Sequence, residues 1–271
     1  MKNFNPKIPI LMYHEVSSRR PDSSGVNRLT PLYDLSVETF ENHLRLLSEG
    51  GYTTLHFDDV QELKKDGRYV ILTFDDGLKG NFIHAFPILK KYDFKATIFI
   101  ATDNIGTERF MDWRELAEMA RHGISIQSHT KSHRPLHTLN FREAFSELDG
   151  SKKRIEGELR SNVHAISFPH GSYNQETVKI ARDSGYKYIC TSNVECVYYD
   201  TFLDKSVILG RIAVTSKMNE SEYLKLLEYD RAAILKYKIS KNAKKTAKRL
   251  IGIKRYRELY RWFFKIKVDK K

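Results

Sequence analysis

A chain of 271 residues with 41% hydrophobic content can bury one sizeable core, enough for a single α/β domain with an appendage. Its two cysteines, Cys190 and Cys196, form no Cys-x-x-Cys, which argues against a disulfide framework or a thiolate-held structural zinc site. The net charge of +12 is uneven: residues 231–271 hold sixteen Lys and Arg against Glu258 and Asp269, a balance of +14, which leaves −2 on the other 230 residues.

Taken in chain order, short apolar runs predict strands at 8–13, 70–74, 96–101, 124–127, 165–168, 188–191 and 207–214. Helical periodicity falls between them, at 37–49, 82–92, 113–121, 141–159 and 177–184. Ser36 before an acidic first turn reads as the start of the first helix, and Gly50-Gly51 as its stop. Residues 19–31, rich in Ser, Pro, Gly and Asn, read as a long loop after the first strand, either bordering a substrate groove or simply at the surface. Strands alternating with helices predict a parallel sheet with right-handed crossovers.

Two clusters carry chemistry. Thr73-Phe74-Asp75-Asp76-Gly77 ends the second predicted strand with adjacent carboxylates. Neighbouring strand residues point to opposite faces, so the two can stay close and act differently only where the chain turns, as Gly77 allows. One can then hold a metal while the other takes a proton. An Asp-Asp-Gly alone also fits a plain turn. Ser128-His129-Thr130-Lys131-Ser132-His133 follows another short strand and spaces two imidazoles four residues apart, where both can reach one ion or line an exposed helix face. Together the clusters describe an Asp-His-His site, one of the two carboxylates with His129 and His133, with positions left open as in catalytic zinc sites.

Thr-Phe-Asp-Asp-Gly followed some fifty residues later by Ser-His-Thr-x-x-His resembles the polysaccharide deacetylases of the NodB-homology group. Pro9-Ile10-Leu11-Met12-Tyr13-His14-Glu15-Val16 resembles the Tyr-His segment of the exopolysaccharide-deacetylase branch; Met111-Asp112-Trp113 and Ser167-Phe168-Pro169-His170-Gly171 fit the same family. The resemblance covers about residues 8–215 and nothing in the C-terminal tail. It implies an α/β fold, a distorted and incomplete (β/α) barrel, for the body at 1–230; the basic helical tail over 231–271 is read from its own charge and spacing. It implies removal of an N-acetyl group from an amino sugar in a glycan or glycan precursor. Asp75 then matches the catalytic base, and Asp76, His129 and His133 the ligands of Zn2+ or another divalent transition metal. Pro169, His170 and Gly171 match a substrate-binding loop.

The chain departs from the commoner family layout at two points: Ser167 stands where an Arg is usual, and no histidine follows His170. A barrel sets its first strand beside its last, so His14 is the expected general acid, with His170 as the alternative. Arg211 is expected to replace the missing Arg and keep Asp75 ionised, unless it forms only a surface salt bridge. Trp113 and Tyr173 are candidate walls for a sugar ring, or packing residues.

In the tail, Ile253, Tyr256, Leu259, Tyr260 and Phe263 recur at helical spacing, with Lys254, Arg257, Arg261 and Lys265 on the other side. This predicts a basic amphipathic helix on an anionic membrane surface, or one packed against the barrel. No nucleic-acid-binding module accompanies it. With no signal-peptide core and no apolar run near the roughly twenty residues of a span, the expectation is a cytoplasmic enzyme peripheral to the inner membrane surface. The expected partner is an N-acetylated sugar polymer or a lipid-linked glycan intermediate. A deformylase or other amidase on a lipid-linked amino sugar, and a catalytically silent carbohydrate-binding relative, remain open on the same scaffold.

Overall fold

The computed structural model describes residues 5–18, 31–63, 67–204 and 208–251. Its elements are β1 (Ile10–Tyr13), β2 (Glu15–Ser17), β3 (Asp34–Ser36), α1 (Val37–Glu49), β4 (Tyr52–Thr54), β5 (Arg68–Phe74), α2 (Phe86–Lys91), β6 (Ala96–Ile100) and α3 (Trp113–Arg121). There follow β7 (Ile124–Ser128), α4 (Phe141–Leu159), β8 (Ala165–Ser167), α5 (Gln175–Asp183), β9 (Tyr188–Cys190), β10 (Ile208–Leu209), β11 (Ile212–Ala213), α6 (Glu220–Leu227) and α7 (Arg231–Ile251).

The main sheet runs β10-β9-β8-β7-β6-β5-β1-β11 with β4 beside β5, and its pairings are parallel. The segment 208–213 belongs to both ends of this path. Ile208 and Leu209 pair with Ile189 and Cys190 on β9, whereas Ile212 and Ala213 pair with Leu11 and Met12 on β1. One kinked segment thus curls the sheet into a distorted barrel: β10 and β11 are halves of that segment, so the ring has seven staves where a full (β/α) barrel has eight, and Arg211 sits at the seam.

Alternation along the strands creates two cores. Leu11, Tyr13, Val70, Leu72, Phe74, Ile98, Ile100, Ile166 and Ile189 face outward and pack with Phe40, Leu44 and Leu47 of α1, Leu116 of α3, Leu148 and Ile155 of α4 and Ile180 of α5. Ile10, Tyr69, Ile71, Phe99, Ala165, Tyr188, Cys190 and Leu209 form the inner cluster. Along β5 the inward positions read Tyr69, Ile71, Thr73 and then Asp75, so the interior is apolar at the N-terminal ends of the strands and polar at their C-terminal ends. Burying one such Ile or Phe contributes roughly 2–3 kcal/mol, which lets the interior carry a polar cluster at one end.

Caps set the helix bounds. Ser36 Oγ accepts the Thr39 N–H at 3.1 Å, and Gly51 with φ of 68° ends the first helical segment. Asp112 and Asn140 form reciprocal capping boxes with Glu115 and Glu143.

Four expectations about the elements are corrected. The run 207–214 is two short strands, because Gly210 and Arg211 leave the ladder where the segment passes from β9 to β1. The helix expected at 82–92 opens with a π-helical turn, Asn81–Ala85, ahead of Pro87, which has no N–H to offer. The helix expected at 177–184 begins at Gln175, capped by Asn174. Short elements at β2, β3, β4 and α6 were not anticipated. Except for Pro31, the loop 19–31 lies outside the described residues, as does the aromatic stretch after Ile251. The first turns of α7 pack on the barrel: Ile234 is buried, and Tyr237 Oη donates to the Ala213 carbonyl at 2.6 Å.

Candidate active site

Asp75 continues the β5 ladder by one bond, from its N–H to the Tyr13 carbonyl at 3.0 Å, and its carboxylate is only 3% exposed. Such a group persists in a dry interior only with a partner. Arg211, 1% exposed, supplies it through a fork: Nη1 to Oδ1 and Nη2 to Oδ2, each 2.7 Å. The guanidinium is itself held on all sides, by Thr73 Oγ1 at 3.0 Å, Ser167 Oγ at 2.7 Å and the Thr191 carbonyl at 3.1 Å. Burial pushes the Asp75 carboxyl up, but Arg211 and His129 outweigh it and hold the group below its ordinary value. Asp75 is therefore an ionised, oriented carboxylate at neutral pH.

The next residue turns away. Asp76 and Gly77 both take φ of 76°, which reverses the side-chain direction between the two carboxylates. Asp76 Oδ1 lies 3.4 Å from His129 Nε2 and 3.2 Å from His133 Nε2, and the three donor atoms fall within 4.8 Å of one another. Bonds of about 2.1 Å at tetrahedral angles put ligand atoms about 3.4 Å apart, so this donor set fits a small divalent ion such as zinc. The tautomer fits as well. His129 Nδ1 meets the Ser167 carbonyl at 2.7 Å and must donate to it, which leaves Nε2, facing Asp76, as the nitrogen that binds an ion once its own proton is gone. Burial raises Asp76, yet the two imidazoles hold it well below the ordinary carboxylate range, in the form a metal needs.

His14 follows β1 beside this cluster, stacked on Tyr33 with ring centroids 4.6 Å apart. Among the described residues its buried Nδ1 has no partner. Burial lowers its pKa against the pull of Asp76 and Asp75, favouring the neutral ring. Pro169, His170 and Gly171 form a 3-10 turn after β8, and His170 meets His133 edge-on at 4.8 Å between centroids. Gly171 is required there, because a Cβ would stand 2.2 Å from Ser192 Oγ and φ is 63°. Tyr173 is 36% exposed next to this loop, its ring 6.0 Å from Phe168. Trp113 is placed differently: its ring packs on the outer core beneath the Arg154 guanidinium, 5.7 Å from centroid to carbon. That is a packing position.

Sequence reasoning missed three participants. Ser167 is more than the site of a lost Arg: its hydroxyl joins Arg211 to Asp75 Oδ2 at 3.2 Å, and its small size leaves room for a guanidinium arriving from the seam. Thr73, in the inward register with Asp75, hands its hydroxyl proton to the Leu11 carbonyl and accepts from Arg211. Glu15, next to His14, has its pKa pushed up to about 7 by burial and Asp34, and it accepts the Gly80 N–H. Alternation along β5 could have found Thr73; the missing Arg could have pointed to Ser167.

A curled parallel barrel with a three-donor metal cluster and an Arg-held carboxylate at the C-terminal strand ends has the parts of a hydrolase. A family model described as polysaccharide deacetylase matches residues 62–189. The Bacillus subtilis protein YxkH, which carries the name of a polysaccharide deacetylase, is 36% identical over 222 residues, covering 80% of this chain and 75% of that one. The poly-beta-1,6-N-acetyl-D-glucosamine N-deacetylase of Staphylococcus epidermidis is 25% identical over 216 residues, 70% of this chain and 74% of its own. Among solved structures, the Streptococcus pyogenes deacetylase PplD in complex with acetate superposes with a TM-score of 0.72 at 29% identity, over 82% of this chain and 98% of that one. The chain belongs to the polysaccharide deacetylase family and is a hydrolase of carbon–nitrogen bonds.

Proposed function

We propose that this protein is a zinc-dependent N-deacetylase of a polymer of N-acetylated amino sugar, releasing acetate and leaving free amines on the glycan. The observation that carries the reading is the pairing of two unlike carboxylates: Asp76 converging with His129 and His133, and Asp75 clamped by Arg211. A binding module has no use for a second, ionised carboxylate beside a metal ligand. The acetate in the Streptococcus pyogenes relative and the polymer named for the staphylococcal one support the acyl group and the substrate class.

Asp76, His129 and His133 would hold the ion, which when bound polarises the acyl carbonyl and lowers the pKa of water. Asp75 takes the proton of the attacking water, and Arg211 keeps it ionised and aimed while it does so. His14 would deliver a proton to the departing amine nitrogen from its protonated form, which burial opposes and Asp76 and Asp75 favour. His170, Gly171 and Tyr173 border the space in which a sugar residue is received, Tyr173 offering a ring face.

The helix α7 adds a partner to this reading. It carries eight Lys and Arg and no acidic residue over 231–251, and it leaves Leu235 and Ile239 about 60% exposed one turn apart. A basic helix with a solvent-facing apolar ridge suits an anionic leaflet such as that of the cytoplasmic membrane surface. No helix among the described residues is long and apolar enough to cross a membrane. The test of the enzymatic reading is release of acetate and free amine in equal amounts from short β-1,6-linked N-acetylglucosamine oligomers. Release of formate from an N-formyl analogue, with no acetate from the acetylated oligomer, would replace the deacetylase with an amidase of another class.

A further inference from the structure

The two histidines proposed as ligands are fixed by different means. His129 is tied directly: its N–H bonds the Ile100 carbonyl at 2.8 Å, and its ring bonds the Ser167 carbonyl. His133 comes at the end of a turn in which Thr130 has φ of 70° and His133 itself φ of 61°, a left-handed conformation that residues with side chains seldom adopt. The His133 N–H reaches only back to Thr130 Oγ1, at 3.2 Å. Its position therefore depends on what holds the main chain of the turn.

That hold comes from α4. Glu147, 7% exposed, points its carboxylate into the turn: Oε2 accepts the N–H of Lys131 at 2.9 Å and of Ser132 at 2.7 Å, while Oε1 accepts the Ser132 hydroxyl. Two successive N–H groups converging on one oxygen make an anion-binding nest, filled here by a side chain of the same protein. One helical turn further along α4, Ser151 Oγ bonds Ser128 Oγ at 2.7 Å, and Ser128 in turn accepts the Thr130 N–H at 3.1 Å. From the opposite side, the N–H groups of Thr102 and Asp103 bond the carbonyls of Thr130 and Lys131. The turn is thus gripped between α4 and the loop after β6, and Glu147 contributes the only charge among these contacts.

We infer that Glu147 is a positioning residue of the metal site, setting His133 against Asp76 through the backbone of Lys131 and Ser132. It has no role in proton transfer and acts entirely through the residues it holds. A carboxylate is suited to the task because it only accepts, with two oxygens for three donors. An amide keeps one oxygen for the paired N–H groups, and the Ser132 hydroxyl can rotate to meet its NH2, so Glu147→Gln conserves most of the hold. Glu147→Asp keeps the charge but falls one methylene short of the paired N–H groups, and Glu147→Ala leaves both without a partner.

The inference rests on the metal reading of Asp76, His129 and His133. The experiment is the zinc affinity of the metal-free protein, measured by competition with a chromophoric chelator at fixed pH, alongside the thermal melt of each metal-free form. Removing groups that orient a metal ligand weakens binding by about 10- to 100-fold. Glu147→Ala and Glu147→Asp should fall in that range, and Glu147→Gln should stay within a few-fold of the native protein. A Glu147 that only stabilised the fold would lower the melting temperature and leave the zinc Kd of the folded protein unchanged. A Kd for Glu147→Ala within twofold of native overturns the inference; if that variant does not fold, Glu147→Asp binding zinc as tightly as Glu147→Gln overturns it equally. A native protein that binds no zinc sinks the metal reading, and this inference with it.

Discussion

Replacing Arg211 by Met is the perturbation that separates a catalytic clamp from an ordinary buried ion pair. In the native protein the fork to Asp75 has two bonds of 2.7 Å, both partners are almost fully buried, and Ser167, Thr73 and Thr191 occupy the remaining donors. Removing the guanidinium leaves a buried carboxylate without its counter-charge, which costs about 3–5 kcal/mol when the partner simply goes. The protonation state then answers for part of that cost. Burial is the largest influence on Asp75 and acts upward; with Arg211 gone only His129 and His14 oppose it, so the carboxyl moves up from its lowered value. The base works only when ionised, so activity falls as pH drops through its pKa, and in Arg211→Met that fall must begin at a higher pH. At neutral pH kcat/KM should drop by about two orders of magnitude, the scale of a lost general base. Arg211→Lys should lie between, keeping the charge without the fork. Urea unfolding gives the stability and the pH profile of kcat/KM gives the acid limb. An acid limb that does not move in Arg211→Met refutes the assignment of Asp75 as a base held by Arg211, whatever the loss of stability.

Three further outcomes follow from particular residues. His14→Ala should slow turnover most for sugar amides with poor leaving amines, and equal rates for the variant and native protein would pass the acid role to His170 or to water. His43, buried on α1 and stacked on Tyr223 at 4.1 Å, has its pKa lowered to about 4 by burial. The unfolded state then binds the extra proton between pH 6.5 and 4, so stability is lost as pH falls through that window, by up to about 3 kcal/mol; His43→Phe should remove this slope in urea titrations at pH 7 and pH 4.5. Leu235→Asp with Ile239→Asp should abolish co-sedimentation with anionic vesicles at low salt and leave activity on soluble oligomers intact, and unchanged sedimentation would remove α7 from the membrane reading.

What could be read from the sequence was local. The helices at 37–49, 113–121 and 141–159 have the bounds expected from periodicity. At 177–184 the Asn174 cap was overlooked and the start slipped by two residues. Short strands carry too few side chains to show a period, so Tyr52–Thr54 and Glu15–Ser17 were not seen. The same contrast holds in the site. Asp75, Asp76, His129 and His133 stand in two compact motifs; the closing of a barrel pointed to His14, and the Arg missing from the family layout pointed to Arg211. Ser167 meets Asp75 across 92 positions, and Glu147 reaches Ser132 from the second turn of a helix whose outer face looks ordinary. Such contacts arise from how strand ends and helices stack, and no single segment encodes them. Trp113 shows the converse: an aromatic next to a family motif is taken up by packing.

The most direct measurement of the central claim is acetate release from an N-acetylglucosamine oligomer by the purified 271-residue chain, followed through chelation and reconstitution with one equivalent of zinc. The donor geometry of Asp76, His129 and His133 predicts one ion bound per chain, loss of acetate release on chelation, and recovery when zinc returns. Acetate release that continues undiminished with the ion removed, or a fully zinc-loaded protein that releases none, would contradict it.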